Sequence, residues 1–202
     1  MSPRRSVAET RDTHREIVRH AAAVASVAGL EKLSLGGLAR DLGMSKAGVA
    51  GHFANKEQLQ LEAVEAAVAV FTEQVAGVVR DRPPGRAALL DALEAWFAYL
   101  ERCPLPGGCF LTAAACEYDG RPGPVREAVA DAIGRWGRLL RRNVVQAQAD
   151  GELPAGLDPD QAVFVLQALG PGLNQAVQLH GDPRAGGYAR AAARAALGLP
   201  PA

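Results

Sequence analysis

The chain has 202 residues, 49% of them hydrophobic but only 5% aromatic, with 22 basic and 22 acidic side chains and no net charge. A core drawn mainly from Ala, Leu and Val favours helix over sheet. No apolar run approaches the roughly 20 residues of a membrane span, and Cys103, Cys109 and Cys116 match neither a zinc spacing nor a disulfide framework, so membrane, metal-centred and disulfide-stapled classes are set aside.

No metal or other cofactor is expected. The charged N-terminus carries no secretory pattern, and a cytoplasmic location is expected. Zero net charge hides an uneven distribution. Residues 1–56 hold nine Arg or Lys against five acids, a balance of +4, and the remainder carries −4. A basic head on an acidic body suits nucleic-acid binding at one end.

Residues 1–9, with Arg4 and Arg5, read as a disordered arm. Thr13 and Glu16 form a T-x-x-E capping box that should open a first helix with Ile17, Ala21, Val24, Ala25 and Ala28 inward, ending at Gly29. Ser34 then precedes Leu35, Leu38, Ala39 and Leu42 at i, i+3, i+4 and i+7. Gly43 stops that run, and Ser45 caps a new one with Val49 and Phe53 inward. Two short amphipathic helices joined by so tight a turn predict a helix-turn-helix, whose second helix enters the major groove of DNA.

Asn55 and Gln58 cap a long helix carrying Leu59, Val64, Ala67, Val68, Phe71 and Val75. It should run to about Val79, before Pro83-Pro84-Gly85. Leu89, Leu90, Leu93, Trp96, Phe97 and Leu100 predict the next helix. A short helix follows from about Cys109 to Glu117, and a long one from Val125 to Ala149. Asp160 to His180 reads as helix that Gly170-Pro171-Gly172 should kink or interrupt. An alanine-rich helix ends near Leu199. The reading is all-α, about nine helices, with a helix-turn-helix domain at residues 1–54 and a helical ligand-binding and dimerisation domain at residues 55–202.

The run G-M-S-K-A-G-V-A-G-H-F-A-N-K from Gly43 to Lys56, preceded by L-G-G-L-A-R-D-L from Leu35 to Leu42, resembles the TetR-type (TetR/AcrR) one-component transcriptional regulators. The segment Gly107-Gly-Cys-Phe-Leu111, then Glu117-x-Asp119 and Arg121-Pro-Gly-Pro-Val-Arg126, is similar to one branch of that family. The resemblance implies a homodimer, a variable helical ligand domain, and repression of a DNA operator relieved by a small molecule. One departure is Ala50, where the family usually has an aromatic residue. Gly48 and Gly51 also lower helix propensity by roughly 1 kcal/mol each relative to Ala.

For DNA binding the candidates are Thr13, Ser34, Ser45, Lys46, Ala47, Gly48, Ala50, Gly51, His52 and Lys56. Lys46 can reach a guanine edge or a phosphate, and Ala47 and Ala50 can touch thymine methyls. Ser45 and Thr13 free helix N–H groups for phosphate. The resemblance assigns phosphate contacts to His52 and Lys56. For the ligand, Phe71, Trp96, Phe97, Phe110, Glu117 and Trp136 lie on helices that surround the family's pocket, with Tyr99 and Tyr118 beside them. Glu117 must be solvated, paired with Arg121 or Arg126, or used. A neutral or cationic lipophilic ligand is expected, the cation only if Glu117 faces the cavity. The resemblance places a homodimer on the last two long helices, with Val163, Leu166, Leu169, Leu173 and Val177 as its apolar surface, so the operator should be roughly palindromic. The alternative is a helical small-molecule binding protein or enzyme with a degenerate head. No catalytic constellation, phosphate loop or nucleophile elbow supports the enzyme.

Overall fold

The computed structural model describes residues 7–201, Val7 by its backbone alone. Nine α-helices fill the described residues: α1 Val7–Ala28, α2 Leu35–Asp41, α3 Lys46–Ala50, α4 Lys56–Gln74, α5 Arg86–Arg102, α6 Phe110–Tyr118, α7 Pro124–Ala149, α8 Pro159–Gln178 and α9 Ala185–Ala196. Short 3-10 turns lie at Leu30–Lys32 and Ala76–Val79, and no strand occurs among the described residues. The fold is all-α.

The chain forms two compact units. One contains the residues up to Val68 together with Leu105–Val129; the other contains Ala69–Pro104 and the residues from Ala130 onward. In the first unit, Ile17 and Ala21 of α1, Leu38 of α2, Val49 of α3, Phe53 and Leu59 are all buried. These are the inward positions that helical periodicity requires. In the second unit, Leu89, Leu93, Phe97 and Leu100 of α5 are buried, as are Leu140 and Val144 of α7 and Leu166 and Leu173 of α8. Arg190 of α9 ties that helix to α5, donating to Glu94 at 2.7 Å and Glu101 at 2.9 Å. Gly186 admits the same carboxylate: a Cβ there would stand 1.6 Å from Glu101 Oε1.

Three expectations are corrected. Helix α1 already includes Val7–Asp12, so Thr13 does not cap it; the Thr13 hydroxyl donates back to the Glu9 carbonyl at 2.8 Å. A hydroxyl inside a helix takes the i−4 carbonyl when the preceding residues are themselves helical. Arg4 and Arg5 lie outside the described residues. Helix α4 ends at Gln74, five residues before Val79, in the 3-10 turn. Helix α8 runs unbroken through Gly170-Pro171-Gly172. Pro171 cannot donate to the carbonyl four residues back, yet buried Leu166 and Leu173 hold the helix on either side. Gly170 has a separate reason: a Cβ there would lie 2.3 Å from Trp96 Cζ2. Asp158 caps the helix by accepting from the Asp160 and Gln161 amides, and Pro159 occupies its first position.

Candidate nucleic-acid interface and ligand-binding unit

Ser34 and Ser45 cap α2 and α3, each accepting a backbone N–H three residues on, from Gly37 and Gly48, at 3.0 Å. Between the helices Gly43 takes φ 62°, a left-handed conformation that glycine adopts without a Cβ penalty. The Met44 amide then closes onto the Ala39 carbonyl at 2.8 Å. Helix α3 has five residues and is anchored by Val49, fully buried, with Phe53 buried just beyond it. That anchoring leaves Lys46, Ala47, Gly48 and Gly51 exposed together, with Ala50 and His52 half-buried beside them. Lys46 makes no ion pair among the described residues. The His52 ring lies 5.5 Å from that of His14, whose Nε2 contacts Glu62. Asn55 accepts the Gln58 amide at 2.8 Å and so caps α4, as the N-x-x-Q pattern predicts.

Lys56 is engaged elsewhere. Its ammonium donates to the Glu31 carbonyl and to Glu31 Oε1 at 2.8 Å. This contact with Lys56 is the main reason the Glu31 carboxyl sits below its ordinary pKa. The Tyr118 hydroxyl donates to Glu31 Oε2 at 3.2 Å. Tyr118 keeps its proton, its pKa pushed up to about 12 first by burial and then by the negative charge of Glu31. Gln60 donates to the Leu30 carbonyl at 2.9 Å and to the Tyr118 oxygen at 3.0 Å.

Glu117 completes this cluster, which corrects its expected place in a ligand cavity. Its two oxygens accept the Leu30 and Glu31 amides at 2.8 and 2.9 Å. A carboxylate at the start of a helical turn satisfies orphan N–H groups and meets the positive end of the turn dipole. The expected arginine partners go elsewhere: Arg121 lies 3.6 Å from Glu31, and Arg126 donates to the Asp119 carbonyl at 3.2 Å. Gly107 packs against α1 in the same unit, donating to Ser26 Oγ at 3.1 Å. Residues 105–118 are thus bonded to the head at both ends. Glu31, Gln60 and Tyr118 were absent from the sequence-based candidates for the head, because their partners lie up to 87 residues away and no local spacing reports them.

In the second unit the expected ligand residues Phe71, Trp96, Phe97 and Trp136 come together with Tyr99, all buried. Phe71 meets Tyr99 and Trp136 edge-on at 5.7 and 5.4 Å. Trp96 lies 5.2 Å from Trp136 and stacks on Phe97 at 5.8 Å. Phe110 and Glu117 belong to the other compact unit. Of the expected dimer residues, Val163, Leu166 and Leu173 are buried within the protomer, which assigns them to its core; Leu169 and Val177 are half-buried. The large apolar side chains that α8, α9 and their edges expose are Phe164 (74%), Val165, Leu179 (70%) and Tyr188 (59%).

Residues 17–63 match the family model of bacterial regulatory proteins, tetR family, and residues 85–193, more than half the chain, match that of the tetracyclin repressor-like C-terminal domain. Among solved structures the fold is similar to a TetR transcriptional regulator from Chloroflexus aurantiacus, 26% identical over 91% of this chain and 93% of that one, with a TM-score of 0.83. It is also similar to AibR in complex with isovaleryl coenzyme A and operator DNA, 21% identical over 91% and 97% of the two chains, TM-score 0.75. A regulator from Saccharomonospora viridis in complex with choline is 23% identical over 89% and 92%, TM-score 0.70. No curated protein sequence matches the chain. With both halves of the sequence matched in order and the helix-turn-helix formed from the residues that signalled it, the chain belongs to the TetR family of bacterial regulatory proteins.

Proposed function

We propose that the protein is a sequence-specific DNA-binding repressor that acts as a homodimer and is released by a small, neutral, mainly apolar ligand. The observation that carries this reading is the exposed face of α3, Lys46-Ala47-Gly48 with Gly51, held outward by the buried anchors Val49 and Phe53. A face of small residues and one lysine suits methyl contacts, DNA shape and phosphate. The structure of AibR with operator DNA and an acyl coenzyme A lends family-level support. The cationic ligand that Glu117 would have favoured is dropped, because that carboxylate already accepts two backbone N–H groups.

We assign the salt-sensitive phosphate contact to Lys46, since Lys56 is bound to Glu31. Lys46→Ala should weaken binding to all sequences about equally. It should also reduce the slope of log K against log salt by roughly two for a dimer, one per protomer. Fluorescence anisotropy titrations on a selected operator at several salt concentrations measure this. An unchanged slope with altered base preference would move Lys46 from phosphate to base contact.

The dimer reading rests on the exposed stripe Phe164, Ala168, Pro171, Gln175 and Leu179, which follows helical spacing along one face of α8 and its end. In a two-fold interface each residue acts twice. Losing two buried phenyl rings at about 2 kcal/mol each, Phe164→Asp should weaken the dimer by at least about a hundredfold. Light scattering at micromolar concentration should then give the mass of a single chain, with operator affinity lost in parallel. A Phe164→Asp protein that remains dimeric places the interface elsewhere.

A further inference from the structure

The aromatic cluster of the second unit contains one group that the protomer leaves unsatisfied. Trp136 is 6% exposed, and its buried Nε1–H has no acceptor among the described residues. A buried donor is almost always paired, because leaving it unpaired forfeits its hydration. The ring has little freedom to turn toward another partner: Phe71 meets it edge-on from one element and Trp96 from another, with centroids at 5.4 and 5.2 Å. Trp96 is itself fixed, packed against α8 at Gly170. Arg190 lies 6.0 Å over the Phe97 ring, and it is already paired with Glu94 and Glu101.

We propose that Trp136 is the specificity-determining donor for the ligand, which is a neutral apolar molecule with one hydrogen-bond-accepting oxygen, such as a ketone, ester or ether. This rests on the proposed ligand role of the second unit and adds the chemistry it selects. A carbonyl oxygen satisfies the indole N–H and leaves the rest of the molecule against rings, and the one cation seen over these rings, Arg190, is already paired with two carboxylates.

The test uses the full-length protein labelled with 15N and two isosteric probes, cyclohexanone and methylenecyclohexane, which differ only in C=O against C=CH2. Trp96→Phe and Trp136→Phe assign the two indole resonances. In the free protein the Trp136 N–H should resonate where unbonded indoles do and move downfield on addition of the ketone. The ketone should bind about tenfold tighter than the alkene. Trp136→Phe, which keeps a ring and removes the donor, should make the two probes equal, while Trp96→Phe keeps the preference. Equal binding of both probes to the unaltered protein overturns the acceptor inference and leaves the apolar ligand role standing. So does an indole proton already hydrogen-bonded, to an internal water, that the ketone does not move. If neither probe binds the unaltered protein, the apolar ligand role falls and the inference with it.

Discussion

Replacing Glu117 with alanine is expected to destabilise the unit that contains the head by about 3 kcal/mol. The substitution removes two hydrogen bonds to a charged acceptor, each worth roughly 1.5–3 kcal/mol and partly recovered by hydration at exposed Glu31. Leu30 is 1% exposed, so its amide gains little water when the carboxylate leaves. The 3-10 turn that Glu117 caps directly precedes α2, and loosening it should disturb the presentation of α3. Operator affinity should fall with stability. Glu117→Gln keeps acceptor oxygen for one amide and should recover about half of the loss. Urea unfolding followed by circular dichroism gives the stability change. A Glu117→Ala protein within about 0.5 kcal/mol of the unaltered one, the range of ordinary surface substitutions, would show that the two amide contacts contribute nothing.

Gly107→Ala should be more damaging still. A Cβ at this position would stand 1.8 Å from the Ser26 carbonyl oxygen and 2.6 Å from the Val27 nitrogen, both backbone atoms of α1. A flexible side chain could swing aside, but a helix backbone cannot, so residues 105–109 must lift away. The Gly107–Ser26 hydrogen bond and the packing beside it are then lost. Overpacking of this kind costs about 3 kcal/mol or more. Gly36→Ala is the control, because nothing lies within 4 Å of a Cβ there. Within α2 it should be neutral or stabilising by about 0.5–1 kcal/mol. The two variants therefore separate close approach from general intolerance of alanine, and thermal unfolding of both checks the contrast. A Gly107→Ala protein as stable as Gly36→Ala would mean that the segment does not lie against α1.

Much of the head was legible because its signals are local. A serine three residues before the amide it caps, or Asn55 three before Gln58, can be read without knowing where the chain goes next. Leu38 and Ala39, three and four residues after Leu35, likewise report an inward helical face. Thr13 misled for the same reason: T-x-x-E describes a cap only where the preceding residues are not helical, and here they are. Glu117 was beyond local reading, since an acidic residue in the last turn of an apolar helix looks the same whether it faces a cavity or reaches amides 86 and 87 residues away. The last helices show another limit. Helix α8 carries apolar residues on two faces, and spacing alone does not say whether Val163, Leu166 and Leu173 or Phe164 and Leu179 point into the protomer. Trp136 could be named as a ligand candidate from its helix, but its unsatisfied N–H depends on what surrounds it in three dimensions.

The exposed face of α3 is proposed to read a particular DNA sequence. The most direct measurement is a selection of genomic fragments by the purified full-length protein, followed by affinity titration of the enriched fragment and of scrambled DNA at one fixed salt concentration. An enriched fragment is expected with two inverted half-sites about one helical turn apart, or a multiple of that spacing, bound at least about a thousandfold more tightly than scrambled DNA. Binding that is equal for every fragment, or absent, would contradict it and leave a helical small-molecule binding protein with a head that no longer reads DNA.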